Sequence, residues 1–165
     1  MMAPTQPAAP YPGLRPFEPH ESAIFFGRGE QIDRMLTALE DHHFLAVVGA
    51  SGSGKSSLVQ AGLLPALAEG FLSEAGEDWR FVMMRPGGRP FDRLAHAVRQ
   101  SLGNDEPDPD MEAFTSAELR AGPKGFLEVI ADAQLPESTN LLLLVDQFEE
   151  VFRFRRDKAA GTIYR

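Results

Sequence analysis

The sequence predicts an α/β sandwich built on a parallel sheet, and three observations carry that expectation. Short apolar runs at His43 to Val48 (HFLAVV), Trp79 to Arg85 (WRFVMMR) and Asn140 to Val145 (NLLLLV) alternate with segments of helical period. The first run enters a glycine-rich loop that leads into a helix. The last run ends in an aspartate, at the carboxyl edge where open α/β sheets bind their ligands.

Taken in order, residues 1–12 are rich in Pro and Ala and are expected to be a disordered or extended tail. Ile32, Met35, Leu36 and Leu39 follow i, i+3, i+4, i+7, so Glu30 to His42 reads as an amphipathic helix feeding the first strand. Ser56 to about Leu64 reads as the next helix, with Pro65 ending or kinking it. SEAGED, residues 73–78, connects to the second strand, which Pro86, Gly87 and Gly88 terminate. Pro90 suits a first helical position, and Phe91, Leu94, Ala95, Val98 and Leu102 mark one helix face. GNDEPDPD, residues 103–110, is a polar breaker. Thr115 with Glu118 resembles a capping box for a short helix cut by Gly122 and Pro123. Phe126, Val129, Ile130 and Ala133 mark a further helix, and Phe148 to Phe154 reads as helical.

Composition bounds the function. The 165 residues are one domain's worth, 43% hydrophobic and 24% charged, which is ordinary for a protein with a packed core. Without cysteine there is no disulfide and no thiolate metal site, which suits a reducing cytoplasm. No apolar run approaches the ~18 residues of a membrane span, and MMAPTQPAAP lacks the regions of a signal peptide. A net charge of -8 argues against nucleic acid as the partner. The basic cluster of Arg153, Arg155, Arg156 and Lys158 reads as a solvated helix face or tail. The expected location is the cytoplasm.

Chemistry concentrates in VVGASGSGKSSL, residues 47–58. Gly49, Gly54, Lys55 and Ser56 fill the fixed places of G-x-x-x-x-G-K-[ST], a P-loop in which glycines let successive N–H groups turn inward around phosphate. Lys55 is expected to reach the β- and γ-phosphates and Ser56 to bind Mg2+, with the helix dipole aimed at the anion. Chance alone matches the four positions in roughly one chain of this length in a hundred. Only three of the sixteen Lys and Arg residues are lysines, Lys55, Lys124 and Lys158, yet the motif position holds one.

LLLLVDQFEE, residues 141–150, is the natural second half. Asp146 is expected to hold Mg2+ as P-loop NTPases commonly do, and either Glu149 or Glu150 to orient or deprotonate an attacking water. The bland alternative is acids at the start of a surface helix. There is no N-K-x-D, no D-x-x-G around Asp146 and no LSGGQ-like signature, which argues against a common GTPase or a transporter ATPase.

Four blocks in order, PYPGLRPFEPHESAIFFGRGEQIDRML, VVGASGSGKSSLVQAGLLPAL, WRFVMMRPGGRPFDRLAHAV and LLLLVDQFEEVF, closely resemble the novel STAND NTPase family of bacteria, signal-transduction ATPases. The resemblance runs from Pro10 to Phe154. It implies a three-layer P-loop NTPase sandwich, with ATP or ADP and Mg2+ as cofactors. Gly49, Ala50, Ser51, Gly52, Ser53, Gly54, Lys55, Ser56 and Ser57 would form the Walker A loop. Asp146 would be the Walker B aspartate, with Glu149 and Glu150 the acidic pair after it. FFGR, Phe25 to Arg28, would pack near adenine, Phe26 by stacking and Arg28 by bonding the base or pinning the loop. Core packing is the competing role for Phe25 and Phe26, and the expected role for Trp79. PYPGLRPF would clasp the ATPase body, although a Pro-rich linker is the plainer reading.

The family places one more strand between the P-loop strand and the Walker B strand, later in sequence, then a winged-helix region and often sensor or propeller repeats. None fits in the eleven residues after Phe154. The expectation is therefore an N-terminal part: residues 13–156 a partial NTPase domain, 157–165 a tail, and a sheet lacking the strand after Walker B. Backbone groups facing that gap would be unpaired, so the fold would be marginally stable and turnover would suffer more than binding. The resemblance implies a nucleotide-dependent homo-oligomer when full length. From other classes, a small-molecule or nucleic-acid-end phosphotransferase and a non-catalytic fragment stand as alternatives.

Overall fold

The structure is a computed structural model that describes residues 12–72, 75–103, 106 and 108–153. The tail expected over 1–12 lies outside these residues save for its last position. Also outside are Arg155, Arg156 and Lys158 of the basic cluster, the tail 157–165, and parts of the connections at 73–78 and 103–110. The chain divides into two compact units, Met1–Glu77 and Asp78–Arg165, each with its own core.

In the first unit a 3-10 turn, Pro19–Ile24, precedes helix α1, Gly29–His42, whose apolar stripe buries Met35, Leu36 and Leu39. His43 ends α1 in the left-handed region, φ 52°, with its N–H on the Leu39 carbonyl at 3.0 Å. The run expected to be the first strand then departs from expectation. Residues 44–50 hold no regular element, with Phe44 76% and Val48 90% exposed. A strand exists by its ladder, and among the described residues no other strand pairs with this run.

The helix leaving the glycine-rich loop continues through Pro65. It runs as α2, Lys55–Ser57, a π-helical stretch, Leu58–Leu63, and α3, Leu64–Ala68. Pro65 does not end it. The preceding turn is widened, with the Leu64 N–H on the Val59 carbonyl, and a wide turn relieves the clash a proline ring makes with the turn before it. Val59, Leu63, Leu64 and Leu67 join Met35, Leu36 and Leu39 in the buried set, and each fully buried leucine contributes about 2 kcal/mol. Contact with α1 is closest at Gly62, where an added Cβ would stand 2.8 Å from Ile32 Cδ1.

The second unit contains the sheet. Strands β1, Trp79–Met84, and β2, Asn140–Val145, run parallel in register, from Trp79 opposite Asn140 to Met84 opposite Val145. Helix α4, Pro90–Ser101, starts on its proline as expected and packs on β1, burying Val82 against Ala95 and Val98. Helix α5, Pro109–Ala121, begins well before the capping box expected at Thr115. Asp108 is the true N-cap, its side chain accepting from the Met111 N–H, and Pro109 takes the first position. Thr115 is buried mid-helix with its hydroxyl on the Met111 carbonyl at 2.9 Å. Helix α6, Gly125–Asp132, adds Val129 to the core. Asp92 of α4 ties α5 down by accepting from Ser116 at 2.6 Å and Arg120 at 2.7 Å, which hold its carboxyl below the usual range. Trp79 stacks on Phe81, centroids 6.3 Å apart, and is half-buried at the start of β1 rather than in the core position expected of it.

The architecture is thus mixed helix and strand with a small parallel sheet, compatible with an incomplete α/β fold.

Candidate functional site

The first unit carries the glycine-rich loop with Lys55. Residues 49–54 form an exposed loop that turns on the Ser53 N–H to Ala50 carbonyl bond, 3.2 Å. Gly52 and Gly54 sit at φ 75° and 83°, a region costly for any residue with a Cβ. Gly49 is needed for another reason. A Cβ there would stand 3.2 Å from Ser53 Oγ and 3.6 Å from Lys55 Cδ, in the hollow of the loop. Lys55 donates from Nζ to the carbonyls of Gly49 and Ala50, both at 2.9 Å, bringing its ammonium across the loop. The charge is therefore held where an anion enclosed by the loop would meet it. Lys55, Ser56 and Ser57 are also the first turn of the helix, where N–H groups and dipole favour negative charge.

The segment before α1 is built onto this helix. The Phe17 N–H donates to Ser57 Oγ at 3.1 Å. Arg15 grips Glu21 with two bonds of 2.6 and 2.7 Å, and Glu21 also accepts from the Glu18 N–H at 2.9 Å. These donors, Arg15 first, bring the Glu21 carboxyl down to about 2. The two FFGR phenylalanines divide: Phe25 meets Phe17 ring to ring at 5.5 Å and packs near Gly62, whereas Phe26 is 80% exposed. Arg28 is exposed at the start of α1, its carbonyl accepting from the Ile32 N–H at 3.1 Å.

The second unit carries the acidic half. The ladder continues one bond past β2, from the Asp146 N–H to the Met84 carbonyl at 2.9 Å, so Asp146 and Arg85 leave their strands side by side. Arg85 donates from Nε and Nη2 to Asp146 Oδ2 at 3.0 and 2.9 Å. Gln147 then turns the chain at φ 55°, a rare conformation for a residue with a side chain, and helix begins at 150. The two adjacent glutamates after it have different surroundings. Glu149 is exposed, while Glu150 Oε2 accepts from the Gly87 N–H at 3.0 Å and lines a cavity of about 420 Å³ with Arg85, Arg93 and His96.

Among the described residues no three His, Asp or Glu side chains converge as a metal cage. Asp146 by itself offers the second unit one carboxylate, which suits a Mg2+ that takes most of its ligands from phosphate and water rather than from an all-protein cage. Arg85 and Gly87 were not singled out from the sequence. The signal is their position: in a parallel pair ending at Met84 and Val145, the next residues stand together.

No helix among the described residues is long and apolar enough to cross a membrane. Comparison with curated proteins and with solved structures returned no match. The family model described as Novel STAND NTPase 1 matches residues 10–164, nearly the whole chain, and on that match the chain belongs to the novel STAND NTPase family, whose name implies a nucleotide-binding NTPase module.

Proposed function

We propose that this chain is the ATP-binding, Mg2+-dependent and slowly hydrolysing switch module of a cytoplasmic signal-transduction ATPase. The observation that carries the reading is the loop of residues 49–54, with two glycines at positive φ, a third whose Cβ would fill the hollow, and the Lys55 ammonium drawn across it. Backbone N–H groups, a lysine and a helix start meet there, and that combination recognises polyphosphate. Ser56 in the first unit and Asp146 in the second are each a candidate ligand of Mg2+, whose chemistry is to neutralise charge on the β- and γ-phosphates. Glu150 is the better candidate base, because the Gly87 N–H fixes its carboxylate while Glu149 is exposed.

As a switch, nucleotide occupancy biases two arrangements of the full-length protein that expose or hide an oligomerisation surface. Moving such a population from 1:99 to 99:1 takes about 5.5 kcal/mol of differential affinity, and a γ-phosphate contacted in one arrangement supplies part of it. ATP rather than GTP rests on the family.

The test is titration with fluorescent ATP and Mg2+, beside Lys55→Ala, with circular dichroism on both. Binding by the wild-type chain and at least a roughly tenfold loss in the variant is the expected outcome, since charge-assisted bonds to phosphate are the strong ones. A folded wild-type chain that binds no nucleotide sinks the reading.

A further inference from the structure

The loop leaving β1 holds both Asp146 and Glu150. Arg85 places two N–H donors on one oxygen of Asp146, and two residues later the Gly87 N–H holds Glu150. Asp146 is largely enclosed, its side chain 17% exposed, whereas Arg85 is 50% exposed and so has room to leave. A carboxylate oxygen that already accepts two charge-assisted bonds has a positive charge beside it, and that charge disfavours a second cation at the same group.

We propose that Arg85 is a positioning residue that competes with the divalent cation for Asp146, so that the Arg85–Asp146 bond and metal capture by Asp146 are mutually exclusive. This rests on the reading of Asp146 as the magnesium-side carboxylate. Metal capture then releases the guanidinium and, with it, the loop that fixes Glu150, so the arrival of the metal is coupled to the setting of the candidate base. Arg85 thereby sets the metal concentration at which the acidic half responds. The preceding strand, the loop and α4 are continuous in sequence, which gives the release a path into the helical layer of this unit.

The test uses Mn2+ alone as the probe, followed by electron paramagnetic resonance, on the wild-type chain, Arg85→Met, Asp146→Asn and the double variant. Arg85→Met is expected to bind Mn2+ roughly three- to tenfold more tightly, the range for a partly exposed ion pair with two charge-assisted bonds, and Asp146→Asn should erase the gain. Unchanged or weaker binding by a folded Arg85→Met chain, or a gain that survives Asp146→Asn, overturns the proposal. A second measurement needs no variant chain for its readout. The Arg85 side-chain Nε–H resonance of the wild-type protein should move on addition of Mg2+ alone and return when a chelator is added; a resonance indifferent to the metal also overturns it. Nucleotide takes no part in the Mn2+ titration, so a chain that fails to bind ATP can still pass it, and one that binds ATP without any dependence on Arg85 retires this inference alone.

Discussion

Glu21 shows how a single side chain fixes the segment before α1. Its carboxylate is buried to 8% exposure and accepts from Arg15 and from the Glu18 N–H, so the charged form is favoured in the folded state. The carboxyl titrates at about 2 against an ordinary 4.5. A depressed carboxylate stabilises the fold above its unfolded value and loses that contribution as pH falls through the folded one. Glu21→Gln should therefore be less stable than the wild type at pH 7, and the gap in urea midpoint should close between about pH 5 and pH 2. An equal gap at both ends of that window would remove the ion pair as its cause. The same scale separates legible from hidden residues. Lys55 and its glycines were legible because their spacing is itself the chemistry. Glu150 was legible only as one of two, because which of two adjacent side chains meets the Gly87 N–H, 63 residues away, depends on backbone geometry no spacing reveals.

At the scale of elements, α1, α4, α6 and both strands of the sheet were legible within a residue or two, because their apolar positions have one period and their ends carry proline or glycine. Helix α5 was read too short, since Thr115 and Glu118 imitate a start signal while Asp108 and Pro109 supply the real one. The close approach of α5 and α6 was not legible at all. A Cβ on Gly125 would run into the Glu118 carbonyl, a backbone atom that cannot rotate away. Gly125→Ala should therefore force the helices apart and cost about 1 to 3 kcal/mol in denaturant unfolding. Gly62→Ala meets the Ile32 side chain, with Phe25 beside it, and side chains can give where a backbone carbonyl cannot, so it should cost less. Equal losses would show that the α5–α6 contact is looser than the backbone geometry requires.

At the scale of the whole molecule, the sheet is the decisive feature. β1 and β2 satisfy each other, while residues 44–48 have the composition of a strand without a ladder among the described residues. Hydrogen exchange should therefore protect the paired amides of 79–84 and 140–145 and leave those of 44–48 close to unprotected rates. Protection at 44–48 equal to that of the paired strands would mean that this run finds a partner in solution. The division into two units has a further meaning for function: the lysine loop belongs to one and the acidic pair to the other. Each half can accordingly be perturbed and measured by itself, by Lys55→Ala in the first and Arg85→Met in the second.

The sequence by itself determined the glycine and lysine pattern of the loop, the strand that ends in Asp146 and the family, because each is written in residue types at fixed separations along one chain. Tertiary structure decided what pairs with what. It left 44–48 without a ladder, carried the helix through Pro65 by widening a turn, set Arg85 on Asp146, and chose Glu150 over Glu149 for the Gly87 N–H. Local propensity sees only a few neighbours along the chain, whereas hydrogen-bond partners dozens of residues away are found only when the backbone brings them within about 3 Å.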